Sequence, residues 1–150
     1  MKNFAYGVSG LLLLLSLAGC ASQKIKDDEV LSIVPHGRID QRKNRDFKIL
    51  TARNTPIEIQ FDQSGKIISA SGNHANEGDT FEPGADLLSL DAISAELANI
   101  GHSIKGDWSL NKEKNKWIYE IDGEFQNGDH LRYTVDAKTA QILKLDKKLF

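Results

Sequence analysis

Residues 117–145 read WIYEIDGEFQNGDHLRYTVDAKTAQILKL, the most regularly patterned stretch of the chain. Apolar residues occupy alternate positions in two runs: Trp117, Tyr119, Ile121 and Phe125, then Leu131, Tyr133 and Val135. Alternation with period two, with aromatic and β-branched residues on one side, is typical of strands that bury one face. The stretch therefore predicts two paired strands lying on a core.

The side of each strand on which the apolar residues lie, set by whether their positions are odd or even, predicts the turn between these strands. A two-residue loop at Asn127 and Gly128 is the first candidate, but it would bring apolar residues to both faces of the hairpin. A three-residue loop, residues 126–128, instead pairs Ile121 with Tyr133. Gly128 would then adopt the left-handed conformation, which costs little without a Cβ atom. We predict this loop, with a further strand after the next turn.

The N-terminal residues carry an apolar run that ends at a cysteine. Lys2 precedes the run, residues 11–17, which is too short to span a bilayer because a helix needs about 20 apolar residues. Residues 17–20 read LAGC, which resembles the bacterial lipobox. The resemblance implies a signal peptide at residues 1–19, cleavage before Cys20 and lipids on Cys20. The alternative is an ordinary signal peptide with an incidental cysteine.

Lipid on Cys20 would anchor the mature protein to a membrane through a tether at residues 20–26. One acyl chain binds only marginally, at roughly 0.8 kcal/mol per buried CH₂, so several chains are needed for stable anchoring. Cys20 is the only cysteine, which excludes an intramolecular disulfide. Ala21 follows it where aspartate would signal inner-membrane retention. The same resemblance therefore favours the outer membrane, facing the periplasm, if the organism is diderm.

Length and charge narrow the classes of protein. The 150 residues suffice for one domain or two very small ones, and 40% of them are hydrophobic. The formal net charge is −2, and loss of the signal peptide removes only one basic residue, Lys2. There is no basic excess that would indicate nucleic-acid binding.

Two segments have helical periodicity. The stronger is residues 89–100, for which Ser89 is a suitable N-cap and Gly101 a suitable C-terminal stop. Its predicted apolar face comprises Leu90, Ile93, Leu97 and Ile100. A shorter helix is predicted at residues 27–34, with acidic residues in its first turn and Pro35 after its end.

The two halves of the chain present similar features in the same order. Each has a helix, a glycine beside a histidine, a charged turn, an aromatic-led strand, and a strand closing in an apolar residue and aspartate. This order predicts a degenerate duplication, with units at residues 25–72 and 86–147 and a linker at 73–85. The predicted fold class is α+β, each unit being a helix packed on a small antiparallel sheet. Because such small units bury little surface alone, they are expected to pack together or extend into one sheet.

The second half carries the runs SLDAI at residues 89–93, WIYEI at 117–121 and YTVDAKT at 133–139, with Gly101 between the first two. Through these residues it resembles the PepSY domain family, named for peptidase propeptides and a spore-germination protein. The resemblance covers the unit at residues 86–147, and Ala140 stands where the family usually has glycine. The unit at residues 25–72 would be a diverged PepSY-like copy.

The resemblance implies a helix on a small antiparallel sheet and a binding role, namely the inhibition or regulation of proteases in the cell envelope or its surroundings. We therefore expect a lipid-anchored, non-catalytic envelope protein without a cofactor, which binds a protease or another envelope protein. The alternatives are a structural or housekeeping lipoprotein and an envelope module that binds a metal or a small molecule.

No spacing in the chain predicts a metal site. The histidines are scattered: His36, His74, His102 and His130. The best local candidate is the set His74, Glu77, Asp79 and Glu82, but its spacing matches no metal motif, and a solvated loop is preferred. His36 and His102 occupy matching places in the two halves, which favours shared turn geometry over a paired site.

Catalysis is not indicated either, because no nucleophile is spaced beside a base. Asp62 and Asp136 recur at strand ends, where an aspartate side chain commonly caps a turn. We predict this capping role in preference to acid–base catalysis.

Three surface features remain as binding candidates. Basic clusters occur at two charged turns: Arg42, Lys43 and Arg45, then Lys112, Lys114 and Lys116. They are either simply solvated or in contact with anionic headgroups or an acidic partner. Aromatic residues could line a peptide-binding surface, but alternation places all except Trp108 on the core face: Trp117, Tyr119 and Tyr133. An exposed strand edge could pair with a strand of a partner.

Overall fold

The computed structural model describes residues 24–73, 80–84 and 86–148, so the predicted signal peptide and Cys20 lie outside the described residues. The described residues form two helices, α1 (Asp27–Ile33) and α2 (Leu90–Asn99). They also form eight strands: β1 (Arg38–Lys43), β2 (Asp46–Leu50), β3 (Pro56–Phe61), β4 (Ile67–Asn73), β5 (His102–Glu113), β6 (Lys116–Phe125), β7 (His130–Asp136) and β8 (Ile142–Lys147). No helix in these three segments is long and apolar enough to cross a membrane.

All eight strands pair in one antiparallel sheet whose spatial order, β1 to β8, follows the chain. The two halves join where β4 pairs with β5, with Ala70 opposite Leu110 and Ser71 opposite Ser109. The predicted α+β fold class of two units, each a helix packed on its own small antiparallel sheet, is therefore wrong. Two small sheets would each leave a row of backbone N–H and C=O groups unpaired at this junction, and pairing β4 with β5 satisfies both rows.

Both helices lie on the same face of the sheet and enclose one core. Val30 in α1 and Ile93 in α2 are fully buried. The buried strand residues include Phe47, Ile49, Ile57, Ile59, Phe61, Trp108, Leu110, Tyr119, Ile121, Tyr133 and Val135. Each half contributes a helix followed by four strands, an order that agrees with the proposed duplication, although the duplication itself stays a prediction.

The predicted hairpin register is confirmed. Ile121 pairs with Tyr133. The N–H of Phe125 donates to the carbonyl of Asp129 at 3.0 Å, which closes a three-residue loop. Gly128 has φ +88°, the left-handed conformation that this loop requires.

The predicted caps of α2 are also confirmed. The Ser89 hydroxyl accepts a hydrogen bond from the N–H of Ala92 at 3.1 Å. Gly101 follows the helix with φ +83°. Ile100 differs from the prediction, since it is 54% exposed instead of facing the core. It lies beyond the last helical residue, so it does not continue the apolar face.

Residues 80–84 contain a core residue within the predicted linker. Phe81 is fully buried, and its ring lies 4.8 Å from that of Trp108. The N–H of Glu82 donates to Ile33 at 2.7 Å, and the carbonyl of Phe81 accepts from Leu90 at 3.0 Å. The segment therefore links the end of α1 to the start of α2 and is not only a surface loop.

Asp62 and Asp136 cap corresponding turns, as predicted. The Asp62 carboxylate accepts from the N–H groups of Ser64 at 2.8 Å and Lys66 at 3.0 Å. The Asp136 carboxylate accepts from the N–H of Lys138 at 2.8 Å. The hydrogen bonds from Ser64 hold the pKa of Asp62 below its usual value, and the bond from Lys138 does the same for the pKa of Asp136.

The two turns differ at their left-handed residue, which is Gly65 in the first half and Ala140, with φ +64°, in the second. Ala140→Gly is expected to raise the free energy of unfolding by about 0.5–1 kcal/mol, because relief of left-handed strain outweighs the added flexibility of glycine. Urea denaturation measures the change. Ala98→Gly, on the exposed side of α2, is the control and should lower stability by about 1 kcal/mol. A loss of stability in both variants would contradict the strain at Ala140.

Candidate functional site

The face of the sheet opposite the helices is open and polar, and we call it the open face. Two adjoining cavities of about 520 and 420 Å³ lie on it. Both cavities are lined by Lys48, Glu58, Ser71 and Ser109. The open face is therefore concave near the junction of β4 and β5, where the two halves meet.

One row of side chains crosses the open face at a single register, and we call it the central row. Each member is directly opposite the next on the neighbouring strand: Gln41, Lys48, Glu58, Ser71, Ser109, Glu120, Thr134 and Lys144. The two serines lie at its centre, with a glutamate on either side of them. Short side chains at the centre and long ones at the flanks produce the concave shape.

A charged cluster borders the larger cavity beside the central row. Asp122 is only 8% exposed although it lies on the open face. Its carboxylate accepts from Arg132 Nε at 2.9 Å and from Lys148 Nζ at 2.6 Å. On the neighbouring strands, Asn73 Nδ2 donates to Asp107 Oδ1 at 2.9 Å. These bonds hold the polar rim of the cavity in a fixed arrangement.

The two cations determine the charge of Asp122. Burial alone would raise the pKa of Asp122, but the hydrogen bonds from Arg132 and Lys148 outweigh it and hold the pKa below its usual value. Asp122 is therefore ionised at neutral pH and forms a stable ionic group with its two partners.

Asp122→Asn is expected to lower the free energy of unfolding at pH 7 by about 1–2 kcal/mol, because it removes charge-assisted hydrogen bonds. The folded pKa of Asp122 lies below the unfolded value of about 3.9, so the stabilisation is complete above that value and is lost as the pH falls below it. The difference between variant and wild type should therefore shrink towards pH 3, as measured by urea denaturation. Asp146→Asn is the control, since its pair with Lys144 is exposed and should contribute less than about 0.5 kcal/mol. A difference that does not change with pH would contradict this role.

The aromatic residues belong to the core and not to a binding surface. Trp108, Tyr119 and Tyr133 are almost completely buried, and Trp117 packs partly buried against the same cluster. The Tyr133 hydroxyl shares a hydrogen bond of 2.7 Å with His102 Nδ1. Burial lowers the pKa of His102 and raises that of Tyr133 to about 12, so both are neutral at pH 7.

The structure does not bring the candidate histidines together. His36 precedes β1 and is exposed, whereas His102 begins β5 and bonds to Tyr133. His36, between α1 and β1, has φ +62°, and Gly101 is the left-handed residue between α2 and β5. Of the proposed metal set, only Glu82 is described: His74, Glu77 and Asp79 lie outside the described residues. Among the described residues no group of three or more His, Cys, Asp or Glu could hold a metal ion.

The basic clusters are divided between structural and free side chains. Arg42 is structural, because it pairs with Asp27, donates to the carbonyl of Ile25 at 3.1 Å and lies 4.8 Å from the Phe47 ring centre. Lys116 lies 3.5 Å from the Asp136 carboxylate. The remaining members are Lys43, Arg45, Lys112 and Lys114, which extend from the turns.

The outer strands β1 and β8 form the edges of the sheet. Leu143 and Leu145 on β8 are 40% and 48% exposed, and Lys144 and Lys147 accompany them. Lysines on an edge strand oppose pairing with another chain. The edges are therefore less suited to a partner strand than the open face is to a partner surface.

The pattern of the sequence did not identify the central row. Ser71 and Ser109 have no distinctive spacing, and they become neighbours only through the pairing of β4 with β5. The one signal in the sequence was alternation. Each serine is next to a core residue on its own strand, Ala70 or Leu110, so its side chain must face away from the core.

Comparisons with known proteins find a family match in the second half of the chain. Residues 90–146 match the family model PepSY, described as peptidase propeptide and YPEB domain. No curated protein sequence matches the chain. A crystal structure described as that of a "putative lipoprotein" from Clostridium difficile 630 aligns with 77% of this chain and 82% of its own, at 16% identity and a TM-score of 0.35.

Proposed function

We propose that the protein, whose residues 90–146 match the PepSY family model, is a non-catalytic binding module of the cell envelope, anchored by lipid at Cys20. Its open face would bind another protein and thereby inhibit or regulate an envelope protease. The family assignment supports a module of the propeptide and inhibitor type, and the shape of the open face supports a protein ligand.

The observation that carries the binding role is the concave central row. Eight strands at a spacing of about 4.8 Å make the row roughly 34 Å wide, which suits a protein interface with about 800 Å² buried on each side. Glutamates and lysines flank the central serines, so a partner with both charge signs would be complementary. The surface is part of a rigid sheet, which lowers the entropic cost of binding.

The envelope location depends on Cys20, for which the LAGC sequence at residues 17–20 is the support. Cys20→Ser is expected to abolish the incorporation of labelled palmitate, because Cys20 carries the only thiol group in the sequence. Ser22→Ala is the matched control and should keep the label. Label that remains in Cys20→Ser would refute the lipid anchor.

Site-specific photo-crosslinking in intact cells tests the binding surface. A photoreactive amino acid replaces Ser71 or Ser109 at the centre of the open face, and Glu96 on the exposed side of α2 serves as the control position. We expect a defined adduct from the two serine positions and none from Glu96. Equal adducts from all three positions, or none from the serines, would refute the assignment of the open face.

A proteolysis assay tests the regulatory role separately. The soluble form that begins at residue 21 is expected to slow casein digestion by membrane extracts of the source cells. Ser109→Arg, which fills the concave centre, should weaken the effect at least about tenfold, equivalent to about 1.4 kcal/mol of binding. Glu96→Arg should leave it unchanged. Crosslinking without any effect on proteolysis would retain the binding role and reject protease regulation.

A further inference from the structure

Antiparallel pairing brings four turns to one end of the sheet, which we call the turn end. These turns are residues 44–45, 62–66, 114–115 and 137–141. The two basic clusters that are distant in the sequence therefore project from the same end of the molecule. The opposite end carries the turns at residues 51–55 and 126–129.

The described chain also begins at the turn end. Ile25 is buried, and a Cβ atom on Gly65 would lie 4.0 Å from its side chain. Arg42 fixes the same segment through the carbonyl of Ile25 and the carboxylate of Asp27. Only three residues, 21–23, separate Lys24 from Cys20, and the four steps between their Cα atoms span at most about 14 Å when fully extended. A lipid on Cys20 would therefore hold the turn end close to the bilayer.

The charge of the turn end complements an anionic surface. Its exposed basic side chains include Lys26, Lys43, Lys66, Lys112, Lys114 and Lys138. Two acidic groups of this end are neutralised by ion pairs, Asp27 with Arg42 and Asp136 with Lys116, whereas Asp62 caps its own turn and keeps its charge. Further acidic side chains near this end are Asp28, Glu29, Asp46 and Glu113, together with Asp86 and Asp91 at the start of α2, where the N–H of Leu88 donates to the carbonyl of Ala137 at 2.8 Å. The four turns themselves are nevertheless basic, because they hold Arg45, Lys66, Lys114 and Lys138 against the single carboxylate of Asp62, whereas the whole chain has a net charge of −2.

We propose that the turn end docks on the anionic headgroups of the membrane that carries the lipid anchor. This inference rests on the proposed lipid anchor at Cys20 for the choice of membrane. The affinity for anionic headgroups depends only on the basic side chains of the turn end. Each Lys or Arg near an anionic surface strengthens binding by roughly fivefold. Docking in this way sets the strands outward from the bilayer and leaves the open face accessible to a protein partner.

Sedimentation with lipid vesicles tests the docking without the lipid anchor. The soluble form from residue 21 contains both helices, the whole sheet and every core residue, so it retains the fold. We expect it to bind vesicles that contain about one-third phosphatidylglycerol, to ignore pure phosphatidylcholine, and to lose affinity as salt screens the charges. Reversal of Lys66, Lys112 and Lys114 to Glu should lower the partition coefficient roughly 100-fold or more.

The matched control reverses three exposed cations at the opposite end, Arg38, Arg53 and Lys147, to Glu. It changes the net charge equally and should retain most of the binding, and the melting temperature of each variant verifies its fold. An equal loss of vesicle binding in both variants would show that binding depends on net charge and not on the turn end. Absence of vesicle binding by the wild type would show that the turn end does not contact the membrane. Either result overturns the proposal. Binding to an acidic polypeptide but not to anionic vesicles would also overturn it, in favour of a protein partner. Failure of the lipid anchor would appear only in the palmitate labelling of Cys20→Ser, so the two proposals fail separately.

Discussion

Phe81→Ala is expected to lower the free energy of unfolding by about 3–5 kcal/mol, as for other fully buried phenylalanines replaced by alanine. Phe81 is 0% exposed and packs against Trp108 of β5, with the ring centroids 4.8 Å apart. The substitution would leave a cavity between the helices and the sheet that the rigid strands cannot fill. Urea denaturation at pH 7 measures the loss, and an unchanged m-value would show that the native state stays compact.

Phe81→Leu provides a graded control, because it keeps most of the buried volume and should cost less than about 1.5 kcal/mol. If residues 80–84 were only a solvated linker, Phe81→Ala would change stability by less than about 0.5 kcal/mol. That result would contradict the placement of Phe81 in the core and its role in joining α1 to α2.

Gly123→Ala is expected to lower the free energy of unfolding by about 3 kcal/mol, near the upper end of the usual cost of overpacking. A Cβ atom on Gly123 would lie less than 3.0 Å from both the Tyr133 ring and the carbonyl oxygen of Ser103. The backbone oxygen cannot move without breaking the pairing of β5 with β6. The Tyr133 ring cannot move without disturbing its 2.7 Å hydrogen bond to His102.

Gly128→Ala is the control for Gly123→Ala, since a Cβ atom there meets nothing within 4 Å and only the left-handed φ of +88° opposes it. Its expected cost is about 1 kcal/mol. Nuclear magnetic resonance titration of His102 gives a second measurement. Burial lowers the pKa of His102 in the wild type, so displacement of Tyr133 should move that pKa back towards its ordinary value. Equal costs for the two variants would show that the Tyr133 ring is not packed on Gly123.

The effects of Phe81→Ala and Gly123→Ala could be predicted from the sequence to different extents. Tyr133 was assigned to the core from parity alone, but the glycine beneath its ring is not evident from the pattern of β6. Phe81 lies in a segment without periodicity, so no repeat of apolar positions marked it as buried. In both cases the decisive neighbour, Tyr133 or Trp108, is distant in the sequence or lies on another element.

The candidate site was accessible from the sequence only in part. The alternation of apolar residues indicated that one face of each strand would be polar and exposed, which favoured the core over a binding surface for Trp117, Tyr119 and Tyr133 and left Trp108 undetermined. The basic turns were recognised as charged, but their common position at one end follows from the strand order. The structural role of Arg42 was not predicted, because its partner Asp27 lies on a different element.

The sequence by itself determined the local features of this protein: the register of the hairpin at Gly128, the caps of α2, and the turns closed by Asp62 and Asp136. Each depends on residues within a few positions of one another, where backbone preference and periodicity act directly. The tertiary structure alone decided that the two halves share one eight-stranded sheet with both helices on one face. That outcome depends on the pairing of β4 with β5, which joins Ser71 to Ser109 across a long interval of chain. Edge strands expose the same unpaired backbone groups whatever their side chains, so the pattern of residues does not specify which edges will meet.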